Sequence, residues 1–179
     1  MSAPIVEDVL RRQLPESEKL DFKQTSYSDA KEWLKDVSAF ANTSGGRLIL
    51  GVGQDEHGRA RDAIGIKGTL DTEPQRLRNW LRDQTEPDLS PYVKITGETD
   101  SAGRNYLIVD IQESPQKPHR LELPGDKYQR QVYVRDGTDN IPASMQAITA
   151  IAVDATTSSA KSQAFIDNRQ RNLAIVNPL

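Results

Sequence analysis

The segment KEWLKDVSAFANTSGGRLILGVGQDEHG, Lys31 to Gly58, decides the architecture. Ala30, Trp33, Leu34, Val37, Phe40 and Ala41 recur at helical spacing, and Lys31, Glu32, Lys35 and Asp36 line the other side. This predicts an amphipathic helix over Ser28–Asn42. Asn42-Thr43-Ser44-Gly45-Gly46 ends it, because Asn and Gly adopt the left-handed backbone of a helix C-terminus at low cost. The following Arg47–Gly53 run is apolar without alternation, the pattern of a central strand buried on both faces. Gln54–Gly58 then reads as a turn. The glycine-rich link lacks the G-x-x-x-x-G-K-[ST] order and leads into a strand, so it is a capped helix end and not a phosphate loop.

Upstream, Ile5–Leu14 reads as a short helix stopped by Pro15, with Val6, Val9 and Leu10 on one face. Leu20-Asp21-Phe22-Lys23 alternates, predicting a half-buried strand with Leu20 and Phe22 inward and Asp21 and Lys23 outward. Downstream, Ala63–Ile66 suggests a short strand. Thr72 and Pro74 open a second helix, with Leu77, Trp80 and Leu81 as its apolar stripe and Arg76, Arg78 and Arg82 around it. Tyr92–Thr96 and Tyr106–Ile111 read as paired strands joined by Gly97–Asn105, and Ser114–Gly125 as an irregular loop. Gln131–Arg135 alternates as a strand, with Val132 and Val134 on one side and Gln131, Tyr133 and Arg135 on the other. Pro142 opens a helix that uses Met145, Ile148 and Ala152. The expectation is an α+β fold: a mixed or antiparallel sheet with helices packed against it, in one domain over residues 1–153. Residues 154–179 form a linker and tail, whose Phe165, Ile166, Leu173, Ile175 and Val176 suit docking or dimerisation.

The chain of 179 residues contains no cysteine, which excludes disulfides and thiolate metal sites. No apolar run approaches the length of a membrane span, and the N-terminus lacks a secretory pattern, so no membrane partner is expected and the cytoplasm is the expected compartment. A net charge of −3 argues against binding nucleic acid through overall charge, but positive charge is unevenly placed. Lys117, Arg120, Lys127, Arg130 and Arg135 cluster late in the chain, interleaved with Tyr128 and Tyr133. Such a face suits backbone contact and base stacking in single-stranded nucleic acid, and equally an ordinary charged sheet surface. His57 and His119 have no metal-spaced partner and read as turn and loop residues.

The second candidate is ESEKLDFKQ, Glu16 to Gln24. Glu16 and Asp21, with Glu18 between them, are hard oxygen donors of the kind that bind Mg²⁺ or Mn²⁺. A metal held there would polarise a phosphodiester and activate water, with Lys23 neutralising charge on phosphate. The bland alternative is a solvated strand face with a salt bridge, and spacing alone favours it.

Taken together, ESEKLDFKQ, KEWLKDVSAFANTSGGRLILGVGQDEHG, QTEPDLSPYVKI, YLIVDIQES and QVYVRDGTDNIPAS resemble the Schlafen/AlbA-type DNA-binding domain, from about Glu16 to about Ile148. The resemblance implies an α+β domain that binds DNA or RNA, with homodimerisation by analogy. In nuclease relatives it also implies a carboxylate triad, two of whose acids match Glu16 and Asp21, the latter an Asp where the pattern has Glu. The third acid follows the buried strand. Here that stretch reads Gly51-Val52-Gly53-Gln54-Asp55, and Asp55 is the nearest acid. Three functions therefore stand: a nucleic-acid-binding module, a Mg²⁺- or Mn²⁺-dependent endoribonuclease acting on tRNA or other structured RNA through Glu16, Asp21, Asp55 and Lys23, and a protein-interaction or dimerisation module.

Overall fold

The computed structural model describes residues 5–123, 125 and 131–158. Its centre is a four-stranded sheet in the order β1-β2-β7-β6. Strand β1 (Leu20–Lys23) runs parallel to β2 (Gly46–Leu50), and helix α2 (Ala30–Asn42) makes the crossover between them. Strands β7 (Asn105–Ile111) and β6 (Val93–Thr99) complete the sheet in antiparallel sense. The mixed sheet with helices against it is the α+β architecture the sequence predicts.

Each face of this sheet carries its own core. Leu48, Leu50, Leu107 and Val109 point to α2 and to α3 (Glu73–Gln84), where Trp33, Leu34, Val37, Phe40, Leu77 and Leu81 are fully buried. Ile49, Tyr106, Ile108 and Phe22 point the other way, onto Val6 and Val9 of α1 (Ile5–Arg12). The unbroken apolar run in β2 is explained by this double burial.

The segment predicted as one strand to Gly53 divides at Gly51, whose φ of +101° turns the chain out of the sheet. Strand β3 (Val52–Gln54) then pairs with β4 (Ala60–Ala63) in a separate hairpin. Position 51 admits no side chain, since a Cβ there would lie 2.8 Å from the Tyr106 ring. The short strand expected at Ala63–Ile66 falls earlier for the same reason: it follows β3's register.

Short strands β5 (Thr85–Glu86) and β8 (Arg120–Leu121) pair beside α3. Strands β9 (Tyr133–Asp136) and β10 (Asp139–Pro142) form a hairpin that lies on α2. Pro142 therefore ends a strand instead of opening a helix, and helix α4 covers 145–158. Met145, expected to pack, is 77% exposed, as is Val153 at 61%. Residues 159–179, with the apolar positions of the tail, lie outside the described residues.

The Asn-Thr-Ser-Gly-Gly link acts as a clamp. Asn42 is buried at the end of α2. Its Nδ2 donates to the carbonyls of His119 (3.0 Å) and Tyr133 (2.9 Å), and its Oδ1 accepts from the His119 amide at 2.7 Å. Thr43 Oγ1 accepts from the Arg135 amide at 2.9 Å. Gly46 is required by close approach, because a Cβ would stand 2.6 Å from the Phe40 ring. His119 is itself fully buried, its Nδ1 facing Pro87 O at 2.8 Å and its Nε2 facing Ser114 Oγ at 2.7 Å. It is a core residue and not the loop residue the sequence suggested, and burial holds its pKa below the usual value.

Replacing Asn42 by Ala leaves up to three backbone groups without this partner. At about 1–3 kcal/mol for each buried group left unpaired, the variant is expected to lose roughly 3 kcal/mol of stability in urea unfolding. A loss within about 0.5 kcal/mol, the size of an ordinary surface substitution, would contradict the clamp.

Candidate functional site

The ESEKLDFKQ segment brings Glu16, Asp21 and Lys23 together, but inside the fold. Asp21 is only 4% exposed, because the sheet face expected to be open is covered by α2 and the β9–β10 hairpin. Five side chains close a ring there. Lys23 Nζ lies 3.1 Å from Asp21 Oδ2 and 3.3 Å from Asp36 Oδ2. Asn140 Nδ2 donates to Asp36 Oδ1 at 2.6 Å, and Asn140 Oδ1 accepts from Arg135 Nη1 at 3.0 Å. Arg135 Nη1 returns to Asp21 Oδ2 at 3.7 Å. Tyr27 adds a hydroxyl donated to Asp36 Oδ2 at 2.5 Å.

Glu16 joins from outside the ring. Its Oε1 accepts from the Phe22 amide at 3.2 Å, and its carboxyl is hydrogen-bonded to that of Asp21. Burial, then Glu16, pushes the Asp21 pKa up to about 6 against the pull of Lys23. Glu16 is also raised by burial, but hydrogen bonds from Asp21, Phe22 and Gln54 outweigh that and leave it below its ordinary value. Of the two acids, Asp21 therefore takes up a proton first as the pH falls. Because Asp21 sits above its usual 3.8, its contribution to stability is complete below about pH 4 and is lost as pH rises through about 6. Gln54, not Asp55, comes to Glu16. The buried Gln54 Nε2 makes no hydrogen bond of ordinary geometry.

Asp55 lies apart from the pair. It sits at the surface in the β3–β4 turn, where its Oδ1 accepts from the amides of His57 and Arg59, both at 2.9 Å. That turn is joined to Glu16 by the Glu16 amide, which donates to Gly58 O at 2.9 Å. Among the described residues no three acids or histidines converge as metal ligands would. The carboxylate-triad metal centre implied by the resemblance does not fit these residues: of the two acids that remain, Asp21 is already paired with Lys23 and Arg135.

The late basic set is also rearranged. The Arg135 side chain is 1% exposed, its Nη2 donating to Ser17 O at 3.1 Å and its guanidinium standing 4.4 Å over the Phe40 ring. Tyr133 is buried in the α2 core, its hydroxyl donating to Gln131 Oε1 at 3.0 Å. The alternation of this strand was legible, but the side carrying Tyr133 and Arg135 faces α2, because the hairpin lies on the helix. Lys117 is buried against Glu113 and Asp154, the latter at 2.8 Å. Arg120 is exposed and paired with Glu122 at 2.9 Å. Lys127 and Arg130 lie outside the described residues.

Asp36 and Asn140 belong to the ring and were not singled out in the sequence. Asp36 had a signal: it is three residues after Trp33 and four before Phe40, on the edge of the buried stripe. Asn140 had none beyond its place in a turn-rich stretch.

The Schlafen AlbA_2 family matches residues 16–144. The chain belongs to the Schlafen AlbA_2 family. Its fold is shared with a solution NMR structure, the N-terminal domain of a protein from Nitrosomonas europaea described as related to the ATP-dependent DNA helicase RecG. That match has 24% identity and a TM-score of 0.54, and covers 72% of this chain and 89% of the other. No curated protein matches significantly. Among the described residues no helix is long and apolar enough to cross a membrane.

The raised Asp21 pKa is open to direct measurement. In ¹³C NMR titration the Asp21 carboxyl is expected to titrate near 6. It should fall toward the ordinary range in Glu16→Gln, which removes a neighbour that raises it, and rise in Lys23→Met. An Asp21 midpoint near 4 in the wild type contradicts the pair as described.

Proposed function

We propose that this domain is a nucleic-acid-binding module, and that it works without metal-dependent cleavage. The observation that carries this reading is the family match across residues 16–144 together with the commitment of Asp21 to two internal cations. Membership favours a role with nucleic acid, and the neighbouring fold from a RecG-related protein is in keeping with it. The lack of a third converging acid among the described residues favours binding over hydrolysis.

The contacts we assign are Arg120, Lys127 and Arg130, on the stretch that runs from β8 to β9. Lys117, Tyr133 and Arg135 are buried and hold the segments that flank that stretch. Lys117 ties it to α4 through Asp154, and Asn42 holds its two ends through His119 and Tyr133. Arg120 is exposed, and cationic side chains of this kind suit phosphate contact, which positions a strand without reading its sequence.

The test is fluorescence anisotropy with labelled tRNA, single-stranded DNA and duplex DNA, with and without Mn²⁺, over a range of salt. Binding to at least one is expected, weakening steeply with salt. Changing Arg120, Lys127 or Arg130 to Ala is expected to reduce the salt slope by about one for each phosphate the side chain would have neutralised. Affinity indifferent to salt would overturn the reading, and Mn²⁺-dependent shortening of the tRNA would favour the endoribonuclease alternative.

A further inference from the structure

The ring described above places two cations where a metal centre would need open oxygen ligands. We propose that Lys23 and Arg135 are built-in counter-cations: they take the place of a divalent ion at the Glu16–Asp21 pair and make the cluster a metal-independent fastening of the β9–β10 hairpin. This goes beyond nucleic-acid binding and stands whether or not that reading holds.

The geometry argues it at three points. Asp21 Oδ2, the oxygen turned into the cluster, is already in contact with both Lys23 Nζ at 3.1 Å and Arg135 Nη1 at 3.7 Å. Mg²⁺ demands near-ideal octahedral oxygen geometry and Mn²⁺ prefers similar ligands, so an ion there must displace an ammonium or a guanidinium. Arg135 is not free to leave. Its Nε and Nη2 donate to Glu18 O (3.3 Å) and Ser17 O (3.1 Å), its Nη1 to Asn140, and Phe40 lies beneath it. Lys23 is the movable one, with its side chain 36% exposed and carboxylates as its partners.

The position of the missing acid completes the picture. Gln54 lies beside Glu16, while Asp55 is turned onto its own backbone. A neutral amide in that place leaves Glu16, Asp21 and Asp36 facing Lys23 and Arg135. These two cations offset most of the charge of three carboxylates, and a buried acid cluster without such partners would be strongly destabilising. The cations therefore do the structural work that a metal does elsewhere, and they join β1, α2 and β9 in doing it.

The experiment follows thermal unfolding with Mn²⁺ alone against EDTA, comparing each protein with its Glu16→Gln counterpart so that binding elsewhere cancels. Wild type and Glu16→Gln are expected to respond equally. Lys23→Met, which keeps the aliphatic stem but removes the ammonium, is expected to gain a Mn²⁺-dependent rise in midpoint that Glu16→Gln abolishes. Lys23→Gln replaces it where Lys23→Met does not fold. A larger Mn²⁺ response in the wild type than in Glu16→Gln overturns the proposal, and so does the lack of any gained response in the Lys23 variant. Nucleic-acid affinity without metal is a separate readout, so failure here is distinguishable from failure of the binding reading.

Discussion

Arg135 ties this fold together through a closed circuit of charge. From β9 it reaches Asp21 on β1, and Asn140 on β10 carries the connection to Asp36 on α2 and so to Lys23. Charges taken out of water are costly unless paired and hydrogen-bonded. Each member here has its partner inside the ring or in a nearby carbonyl. Lifting the hairpin from α2 takes Arg135 from Asp21 and Asn140 from Asp36, leaving both carboxylates to Lys23. The hairpin's attachment is therefore close to all-or-none, whereas the apolar contacts beneath it would loosen gradually.

The same circuit decides what the site is for. A carboxylate cluster in a nucleic-acid-related family invites a metal, and the ring shows why this chain answers differently. The acids are present, but the third ligand position holds an amide beside Glu16, and the open oxygen of Asp21 already faces two cations. Charge that would act on a phosphodiester is committed to holding the hairpin. The ring sets the position of β9, the strand that follows the basic stretch proposed above as the phosphate contact.

Much of this was legible in the sequence, and the reasons for the remainder are physical. Periodicity gave α2, the buried β2, and the β6–β7 pair because those segments pack against one uniform environment. It failed where one face meets two environments. Asp21 and Lys23 read as solvent-facing because alternation reports which residues share a side, not what covers it. Tyr133 and Arg135 were placed together correctly, yet on a side that turned out to face α2. Gly51 looked like part of a strand, although its position next to Tyr106 and its positive φ end the strand there. Asp36 and Asn140 escaped notice because a polar residue on a helix edge or in a turn is usually solvated, and only tertiary structure draws these two into the ring.

The central claim is that the ring acts as one unit. The most direct measurement is a double-mutant cycle by urea unfolding on Lys23→Met and Asn140→Ala, two residues that the ring joins through opposite oxygens of Asp36 and, the other way round, through Asp21 and Arg135. The account predicts a coupling energy of roughly 0.5–3 kcal/mol, with the second change costing less once the first is made. Costs that add within about 0.3 kcal/mol would contradict it, reducing the ring to independent surface-like contacts.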